Sequence, residues 1–200
     1  MTIGFRICNR ERCVPGDLIE RFRVLPVANV SDMMSRMTAG GARLRPMHAG
    51  GVMAGPALTV KTRPGDNLMI HKALDLAQPG DVVVVDAGGD LTNALFGELM
   101  LSYAATRSVA GVVLDGAVRD ADALAGQSLP VFAAGVTHRG PYKDGPGEIN
   151  VPVAVDGMVI EPGDLMLGDG DGVLCVPFEH AESVCAASEA KLASELSRRA

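Results

Sequence analysis

The chain is predicted to be an α/β protein with a mixed sheet, and three features of its 200 residues support this. Helical and strand patterns alternate through the middle of the chain. Residues 81–86 and 111–115 are apolar runs rich in valine, which are typical of strands covered on both faces. Short strand and turn patterns dominate residues 152–177, as in hairpins. With 48% hydrophobic residues the chain can bury one core, so we expect a single domain over residues 1–200.

The first part of the chain is predicted to be a helical segment followed by a strand and a longer helix. Helix-capping residues, glycine and proline stops, and apolar spacing set the predicted boundaries. We predict helices over 17–22, over 33–37 with Ser31 or Asp32 as the cap, and over 67–78, and a strand over 51–62 with Pro56 at its edge or start.

The rest of the chain is predicted to continue with strands and helices and to close with a long helix. We predict strands over 81–86, 111–115, 129–132, 152–155, 158–160, 165–167 and 172–177, helices over 94–107, 120–125 and 179–199, turns at 156–157 and 162–164, and a long loop over 137–147.

The overall composition excludes several classes of protein. A net charge of −6 argues against nucleic acid as a partner, because phosphate binding requires a basic surface. The four cysteines form no C-x-x-C pair, so neither a structural zinc site nor a disulfide framework is expected. No apolar run approaches the ~20 residues of a membrane span, and the N-terminus lacks a signal pattern. We therefore expect a cytoplasmic protein without a membrane partner.

Glu98 and the pair Arg119-Asp120 are the candidate catalytic residues. A predicted helix and strand separate them, and such a pair returns the chain to the edge where it began, so all three side chains can face one pocket. A carboxylate that can hold a divalent metal, a cation beside it and a second acid suit enolate chemistry. A surface salt bridge worth under ~1 kcal/mol is the alternative. The position just after a buried strand favours a site.

The start of the helix that contains Glu98 is a candidate binding site for a carboxylate. The glycine-rich residues 86–90 match no dinucleotide or S-adenosylmethionine fingerprint, so a cofactor site there is not predicted. Backbone N–H groups at a helix start, however, can bind an anion. Gly97, Glu98, Leu99 and Met100 are the predicted donors.

Two other patterns are interpreted as structural. Residues 169–172 resemble part of a calcium loop, but Phe178 stands where that loop needs a glutamate, so a tight turn is predicted. The four histidines lack ligand spacing, and His71 is interpreted as structural or solvent-facing.

Several short motifs between residues 27 and 177 resemble one known family. They are Val30-Ser31-Asp32, Gly55-Pro56-Ala57, Pro79-Gly80-Asp81-Val82, Phe96-Gly97-Glu98-Leu99, the run from Asp115 to Asp120, Pro162-Gly163-Asp164 and the run from Gly168 to Val173. Together they are similar to the family of 4-hydroxy-4-methyl-2-oxoglutarate/4-carboxy-4-hydroxy-2-oxoadipate aldolases, which also includes the regulator of RNase E activity A.

The resemblance implies a swivelling β/β/α-type fold and a homotrimer or homohexamer with sites between subunits. It also implies divalent-metal-dependent cleavage that releases pyruvate, as in the degradation of aromatic compounds. The family pattern of an acid, twenty residues, then Arg-Asp matches Glu98, Arg119 and Asp120, with Glu where aldolases tend to have Asp. Retention of Asp120 favours an enzyme. The family often has an acid at the position of Ala123, and whether Asp122 replaces it is open.

The roles that the resemblance implies form one mechanism. Asp120 holds Mg²⁺ or Mn²⁺, Arg119 stabilises the enolate, and Glu98 protonates the enolate carbon through a water. The base for the substrate hydroxyl is left open, with a metal-linked water as one candidate. Lys143 can bind a distal carboxylate, and oxaloacetate decarboxylation should accompany cleavage. The alternatives are a non-catalytic regulator of RNase E activity and a related 2-oxo-acid lyase or decarboxylase.

Overall fold

The computed structural model describes residues 2–37 and 40–199 of the chain, and the side chain of residue 199 is outside that description. Its helices are α1 (Gly16–Phe22), α2 (Val27–Met33), α3 (Leu68–Leu76), α4 (Glu98–Thr106), α5 (Ala121–Ala125) and α6 (Ala181–Arg199). Its strands are β1 (Arg45–Pro46), β2 (Met53–Thr62), β3 (Val82–Asp86), β4 (Ala94–Phe96), β5 (Gly111–Val118), β6 (Val131–Val136), β7 (Gly147–Ile149), β8 (Val153–Val155), β9 (Met158–Ile160), β10 (Leu165–Asp169) and β11 (Gly172–Val176). No helix among these is long and apolar enough to cross a membrane.

The fold is a single α/β domain built on a mixed sheet, as predicted. The main sheet has the order β1-β6-β5-β3-β2-β10-β11, with β4 beside β5 and β7 beside β2. Strands β2, β3, β5 and β6 are parallel, whereas β1, β7, β10 and β11 pair antiparallel to their neighbours. The parallel strands therefore end at one edge of the sheet, where α/β proteins place their binding sites.

The core lies on both faces of the parallel strands. All four valines from Val82 to Val85 are fully buried, and β3 pairs with β2 on one side and β5 on the other. Helices α3 and α4 cover one face, while α1, α2 and α6 pack against β10 and β11. Each buried valine contributes roughly 1.5–3 kcal/mol of transfer free energy. The prediction of strands covered on both faces is confirmed.

The helix predicted over residues 33–37 is wrong, because α2 begins after Pro26 and ends at Met33. Proline favours a helix start, since its φ is fixed and its missing N–H is not needed there. Val27 and Val30 are buried on the side of α2 that faces α6. Asp32 lies inside the helix and binds the Lys191 ammonium at 2.8 Å instead of capping.

The helix predicted over residues 94–107 is wrong at its start. Ala94–Phe96 form β4, which pairs with β5, and α4 begins only at Glu98. All three β4 residues are buried, and periodicity cannot distinguish so short a buried strand from the first turn of a helix. The pairing of these three residues with β5 decides that they form a strand.

The other differences lie at strand boundaries. Strand β6 occupies 131–136 instead of 129–132, β5 extends to Val118, and the predicted loop over 137–147 ends in β7. Pro56 lies inside β2 instead of at its edge or start; it is tolerated because the first parallel pair with β3 is Ala57 with Val82. The turns predicted at 156–157 and 169–172 are confirmed as hairpin connections.

Candidate active site

A small cavity of about 90 Å³ lies where the parallel strands end. Its lining comes from α3, β4, the start of α4, the junction of β5 with α5 and the loop after β6. Five of the six predicted site residues line it, namely Gly97, Leu99, Met100, Arg119 and Asp120. The fold thus brings together residues that the sequence places on two separate segments.

Asp120 connects the two segments of the site. Its Oδ2 accepts a hydrogen bond of 3.1 Å from the Glu98 N–H at the start of α4, and it lies 3.8 Å from the Arg119 Nε. The carboxylate therefore lies at the positive end of a helix dipole. The Asp120 backbone is left-handed, with φ 58° and ψ 42°, a conformation that Asp tolerates better than most residues. Such conformations are common at functional sites.

Gly97 allows the two segments to approach this closely. A Cβ atom there would lie 2.6 Å from the Asp120 Oδ2 and 3.0 Å from the Arg119 Cγ. The Gly97 backbone is extended, so its requirement for glycine is steric. The N–H groups of Leu99 and Met100 belong to the first turn of α4, where no acceptor exists within the helix. They can donate to an anion in the cavity.

Glu98 is the predicted site residue that does not line the cavity. It is the first residue of α4, and its side chain is exposed. Asp122 is also exposed, in the first turn of α5, and Ala123 after it is partly buried. The catalytic role of Glu98 and the replacement of Ala123 by Asp122 therefore stay predictions.

The lining of the cavity also contains polar residues that sequence reasoning missed. Asn67 is buried and donates from its Nδ2 to the Leu95 carbonyl at 3.0 Å, but its Oδ1 has no partner among the described residues. His71, one turn later on α3, also lines the cavity, and its buried Nε2 lacks a partner there too. The position of His71 differs from its interpretation as structural or solvent-facing. The four-residue spacing between Asn67 and His71 could have indicated a shared site, since it places both side chains on one helix face.

The surroundings of the His71 ring favour its neutral form. Burial is the main cause that lowers its pKa below the ordinary value, and the positive charge of Lys143 lowers it further. Asp75 opposes this shift. In the neutral form, one of the ring nitrogens can accept a proton or a hydrogen bond.

Buried Asp66 fixes the loop that carries Lys143, another residue of the cavity lining. Its Oδ2 accepts hydrogen bonds from the N–H groups of Asp144 at 2.7 Å and Gly145 at 2.9 Å, and its Oδ1 accepts one from the Leu68 N–H at 3.0 Å. One carboxylate thereby ties the loop that carries Lys143 to the start of α3. No sequence motif indicated this role for Asp66.

Asp86, Asp115 and Asp156 form a cluster with Arg43, and none of the four is in the cavity lining. Asp86 and Asp115 are paired in register on β3 and β5. Arg43 forms ion pairs with Asp115 and with Asp156, the latter at 3.3 Å. Burial is the main cause that raises the pKa of Asp115, and Arg43 counteracts it. Since Arg43 bridges two of these carboxylates, the cluster joins the loop before β1 to the sheet and the β8–β9 turn.

The donor set around Asp120 fits a hard divalent cation. In the part of the chain that the structure describes, no group of three or more His, Cys, Asp or Glu side chains could hold a metal. Asp120 offers one partly exposed carboxylate that opens on the cavity. A single carboxylate suits Mg²⁺ or Mn²⁺, which keep several waters, and does not suit a closed zinc site.

The family model described as RraA-like (Aldolase/RraA) matches residues 27–175. The chain is 40% identical over 182 residues to a Halalkalibacterium halodurans protein provisionally named 4-hydroxy-4-methyl-2-oxoglutarate aldolase, with 91% of this chain and 87% of that protein covered. It is 38% identical over 112 residues to the 4-hydroxy-4-methyl-2-oxoglutarate aldolase of Thermus thermophilus, with 56% and 68% covered. A crystal structure from Streptomyces coelicolor, described as an unusual member of the RNase ES inhibitor RraA family, superposes with a TM-score of 0.83 at 27% identity and covers 94% of this chain and 98% of its own.

Proposed function

The chain belongs to the RraA-like (Aldolase/RraA) family, and from this premise we propose that it is a divalent-metal-dependent carbon–carbon lyase. Its proposed substrates are 4-hydroxy-4-methyl-2-oxoglutarate and 4-carboxy-4-hydroxy-2-oxoadipate, which it cleaves to release pyruvate. The observation that carries the proposal is that Arg119, Asp120 and the first turn of α4 meet in one cavity. The aldolase names of the relatives support the same class of reaction.

The cavity provides a place for each polar group of a 2-oxo acid. The free N–H groups of Leu99 and Met100 bind the carboxylate next to the keto group, and the Arg119 guanidinium donates to the keto oxygen. When the carbon–carbon bond breaks, that oxygen gains negative charge, and a fixed cation beside it lowers the barrier. Mg²⁺ or Mn²⁺ at Asp120 would add Lewis-acid polarisation of the keto-acid oxygens.

The remaining steps require proton transfer and recognition of the far end of the substrate. Glu98, exposed at the start of α4, returns a proton to the enolate carbon through a water. Lys143 also lines the cavity and pairs with the distal carboxylate. Oxaloacetate gives the same enolate when it loses CO₂, so decarboxylation accompanies the lyase activity.

We also propose a homotrimer or homohexamer in which a second copy covers the site. Large apolar side chains near the cavity are exposed, with Leu99 at 82%, Tyr142 at 61% and Val136 at 54%. Exposed apolar surface around a polar cavity is typical of an interface. Light scattering coupled to gel filtration checks the assembly, and a monomer at micromolar concentration would contradict it.

The proposed location of the protein is the cytoplasm. The four free thiols fit such a reducing compartment.

A second candidate function is suggested by the Streptomyces coelicolor relative, which is described as belonging to an RNase ES inhibitor family. A protein-binding regulator would not need Asp120 beside Arg119 at the start of α4, so the site argues for catalysis. A related 2-oxo-acid lyase or decarboxylase with another substrate would use the same residues.

Pyruvate release tests these functions. It is measured by coupled NADH oxidation from 4-hydroxy-4-methyl-2-oxoglutarate and from oxaloacetate, each with Mg²⁺ and with EDTA, for the wild type, Arg119→Ala and Asp120→Ala. Metal-dependent turnover of both substrates that the substitutions abolish supports the lyase. Turnover of oxaloacetate alone rejects the aldol substrate, and no pyruvate from either rejects the aldolase and favours another 2-oxo-acid substrate or the regulator.

A further inference from the structure

Two unpartnered polar atoms at the α3 end of the cavity are not explained by the mechanism so far. The described residues contain four buried side-chain nitrogen or oxygen atoms without a partner, and two of them are the Asn67 Oδ1 and the His71 Nε2. A buried polar atom without a hydrogen bond costs about 1–3 kcal/mol, so each such atom needs a reason. Because both residues line the site cavity, a polar group of the bound substrate is the natural partner.

Cleavage of an aldol substrate requires a base that the start of α4 does not supply. The hydroxyl on the carbon that leaves must lose its proton before its oxygen can form a carbonyl group. Arg119 stays protonated and has no acceptor atom. Asp120 accepts the Glu98 N–H, and Glu98 itself is outside the lining. Among the lining residues, His71 is the one with a side-chain nitrogen that can take up a proton from the substrate.

We propose that the imidazole of His71 is the general base that takes the hydroxyl proton of the aldol substrate. The inference rests on the proposed lyase function and adds a residue that the family pattern around Glu98, Arg119 and Asp120 does not include. His71 and Lys143 both line the cavity, and the Lys143 charge acts on the His71 ring. In the aldol substrate, the hydroxyl is on the carbon that carries the distal carboxylate. A carboxylate that pairs with Lys143 would therefore bring the hydroxyl toward His71.

The neighbouring residues suit this role. Burial and the Lys143 charge both lower the pKa of the ring, which favours the neutral form that can take up a proton. The Asn67 amide donates to the Leu95 carbonyl, which leaves its Oδ1 as a second acceptor without a partner. The Asp66 carboxylate fixes the loop that carries Lys143, so the charge and the imidazole keep their separation.

The proposed step balances for 4-hydroxy-4-methyl-2-oxoglutarate. The O–H bond of the hydroxyl on carbon 4 breaks, its proton passes to a ring nitrogen of His71, and its electron pair forms the new C=O. The bond between carbons 3 and 4 breaks, and its electron pair becomes the enolate that Arg119 stabilises. One proton then adds to carbon 3 and the imidazolium returns its proton to water, so two pyruvates leave and no oxidant is needed.

A comparison of two substrates tests the role of His71. Oxaloacetate has no hydroxyl proton to remove before its carbon–carbon bond breaks, whereas the aldol substrate has one. We expect His71→Gln to lower kcat for 4-hydroxy-4-methyl-2-oxoglutarate by about 10²-fold or more. The same variant should decarboxylate oxaloacetate within about 3-fold of the wild type, since the enolate end of the site is unchanged. The exposed His180 offers the matched control His180→Gln, which should leave both rates unchanged.

The possible outcomes separate this inference from the proposed function. Equal losses on both substrates, with circular dichroism unchanged, would show that His71 only shapes the cavity and would overturn the inference. Unchanged aldol cleavage would also overturn it. If the wild type decarboxylates oxaloacetate but does not cleave the aldol substrate, the proposed aldolase function fails and the base has no substrate. Exchange of the pyruvate methyl protons in D₂O, which needs no hydroxyl base, should persist in His71→Gln.

Discussion

Two Arg–Asp pairs at opposite edges of the same sheet have very different environments. Arg10 and Asp81, at the edge where β3 begins, approach to 2.6 Å with side chains that are 13% and 3% exposed. Arg119 and Asp120, at the edge where β5 ends, lie 3.8 Å apart with side chains that are 43% and 44% exposed. Asp81 also accepts the Gln78 N–H, so its carboxylate is satisfied within the fold.

The difference shows how one pair of residue types can serve two purposes. The buried pair satisfies its charges with each other, so removing one leaves an uncompensated charge inside the protein. The open pair keeps part of its hydrogen-bonding capacity unused and holds Asp120 in a left-handed backbone conformation. A substrate or metal can bind to the unused donors and acceptors of the open pair, whereas the buried pair is already satisfied within the protein. Stability should therefore depend on Asp81 and activity on Asp120.

The largest expected effect is the loss of activity in Asp120→Asn. Asparagine tolerates the left-handed backbone and still accepts the Glu98 N–H, but it removes the charge that would bind the metal. We expect kcat/KM for pyruvate release to fall about 10³-fold, or ~4 kcal/mol, while the free energy of unfolding changes by under ~0.5 kcal/mol. Steady-state kinetics and urea denaturation measure the two quantities.

The control for that substitution is Asp171→Asn, which neutralises an exposed carboxylate in the β10–β11 turn. It should leave kcat/KM and stability close to the wild type. Should Asp120→Asn lose stability and keep its activity, the contrast between the two pairs would be reversed.

Asp81→Asn should show the opposite behaviour. Loss of the charge leaves Arg10 buried without its partner, so we expect the free energy of unfolding to fall by about 3 kcal/mol. The folded fraction should keep its kcat, because the pair lies at the far edge from the cavity. Urea denaturation followed by circular dichroism gives the first value. A loss of kcat in fully folded Asp81→Asn would mean that this edge contributes to the site.

Gly97→Ala should lower the activity by displacing the Asp120 carboxylate, without a change in charge. The added methyl would lie 2.6 Å from the Asp120 Oδ2, so the carboxylate must move. A misplacement of about 1 Å at a reacting group can lower the rate by about 10²-fold, so we expect kcat/KM to fall by up to that factor. Gly126→Ala is the matched control, because its nearest contact would be an ordinary 3.6 Å and its φ is −83°. Equal rates in the two variants would show that the close approach at Gly97 has no catalytic role.

The smallest expected effect concerns a second pair of the structural kind. Arg6 donates two hydrogen bonds of 2.7 Å to the Glu148 carboxylate, and the Gly4 N–H donates a third. Together, with Arg6 as the larger cause, they lower the pKa of Glu148 to about 2. Since this pKa lies below the unfolded value of 4.5, the pair stabilises the fold above about pH 4.5, and the contribution is lost as the pH falls toward 2. Arg6 is partly exposed, so we expect about 1 kcal/mol.

Urea denaturation between pH 6 and 2.5 measures this contribution. Glu148→Gln should flatten the acid limb of the stability curve by about 1 kcal/mol relative to the wild type, whereas Glu20→Gln, at an exposed pair on α1, should not. A curve of unchanged shape in Glu148→Gln would show that Arg6 adds no net stability.

The sequence was sufficient for the parts of the site that depend on short segments. Arg119 and Asp120 follow a buried strand that was visible in the sequence, and both line the cavity, whereas Glu98, which was expected to face the same pocket, does not line it. His71 was interpreted differently from its place in the cavity, because a histidine on a helix face gives no sign of which loop will cover it. The residue that fixes that loop, Asp66, is far from it along the chain.

The sequence by itself determined the α/β class, the buried parallel strands and the two segments that carry Glu98, Arg119 and Asp120. These features follow from side-chain chemistry within a few residues: β-branched runs favour buried strands, and glycine permits close approach. The tertiary structure alone decided that residues 94–96 are a strand and that Asn67, His71 and Lys143 line the same cavity. Strand pairing and loop anchoring join residues tens of positions apart, and no local pattern specifies such contacts.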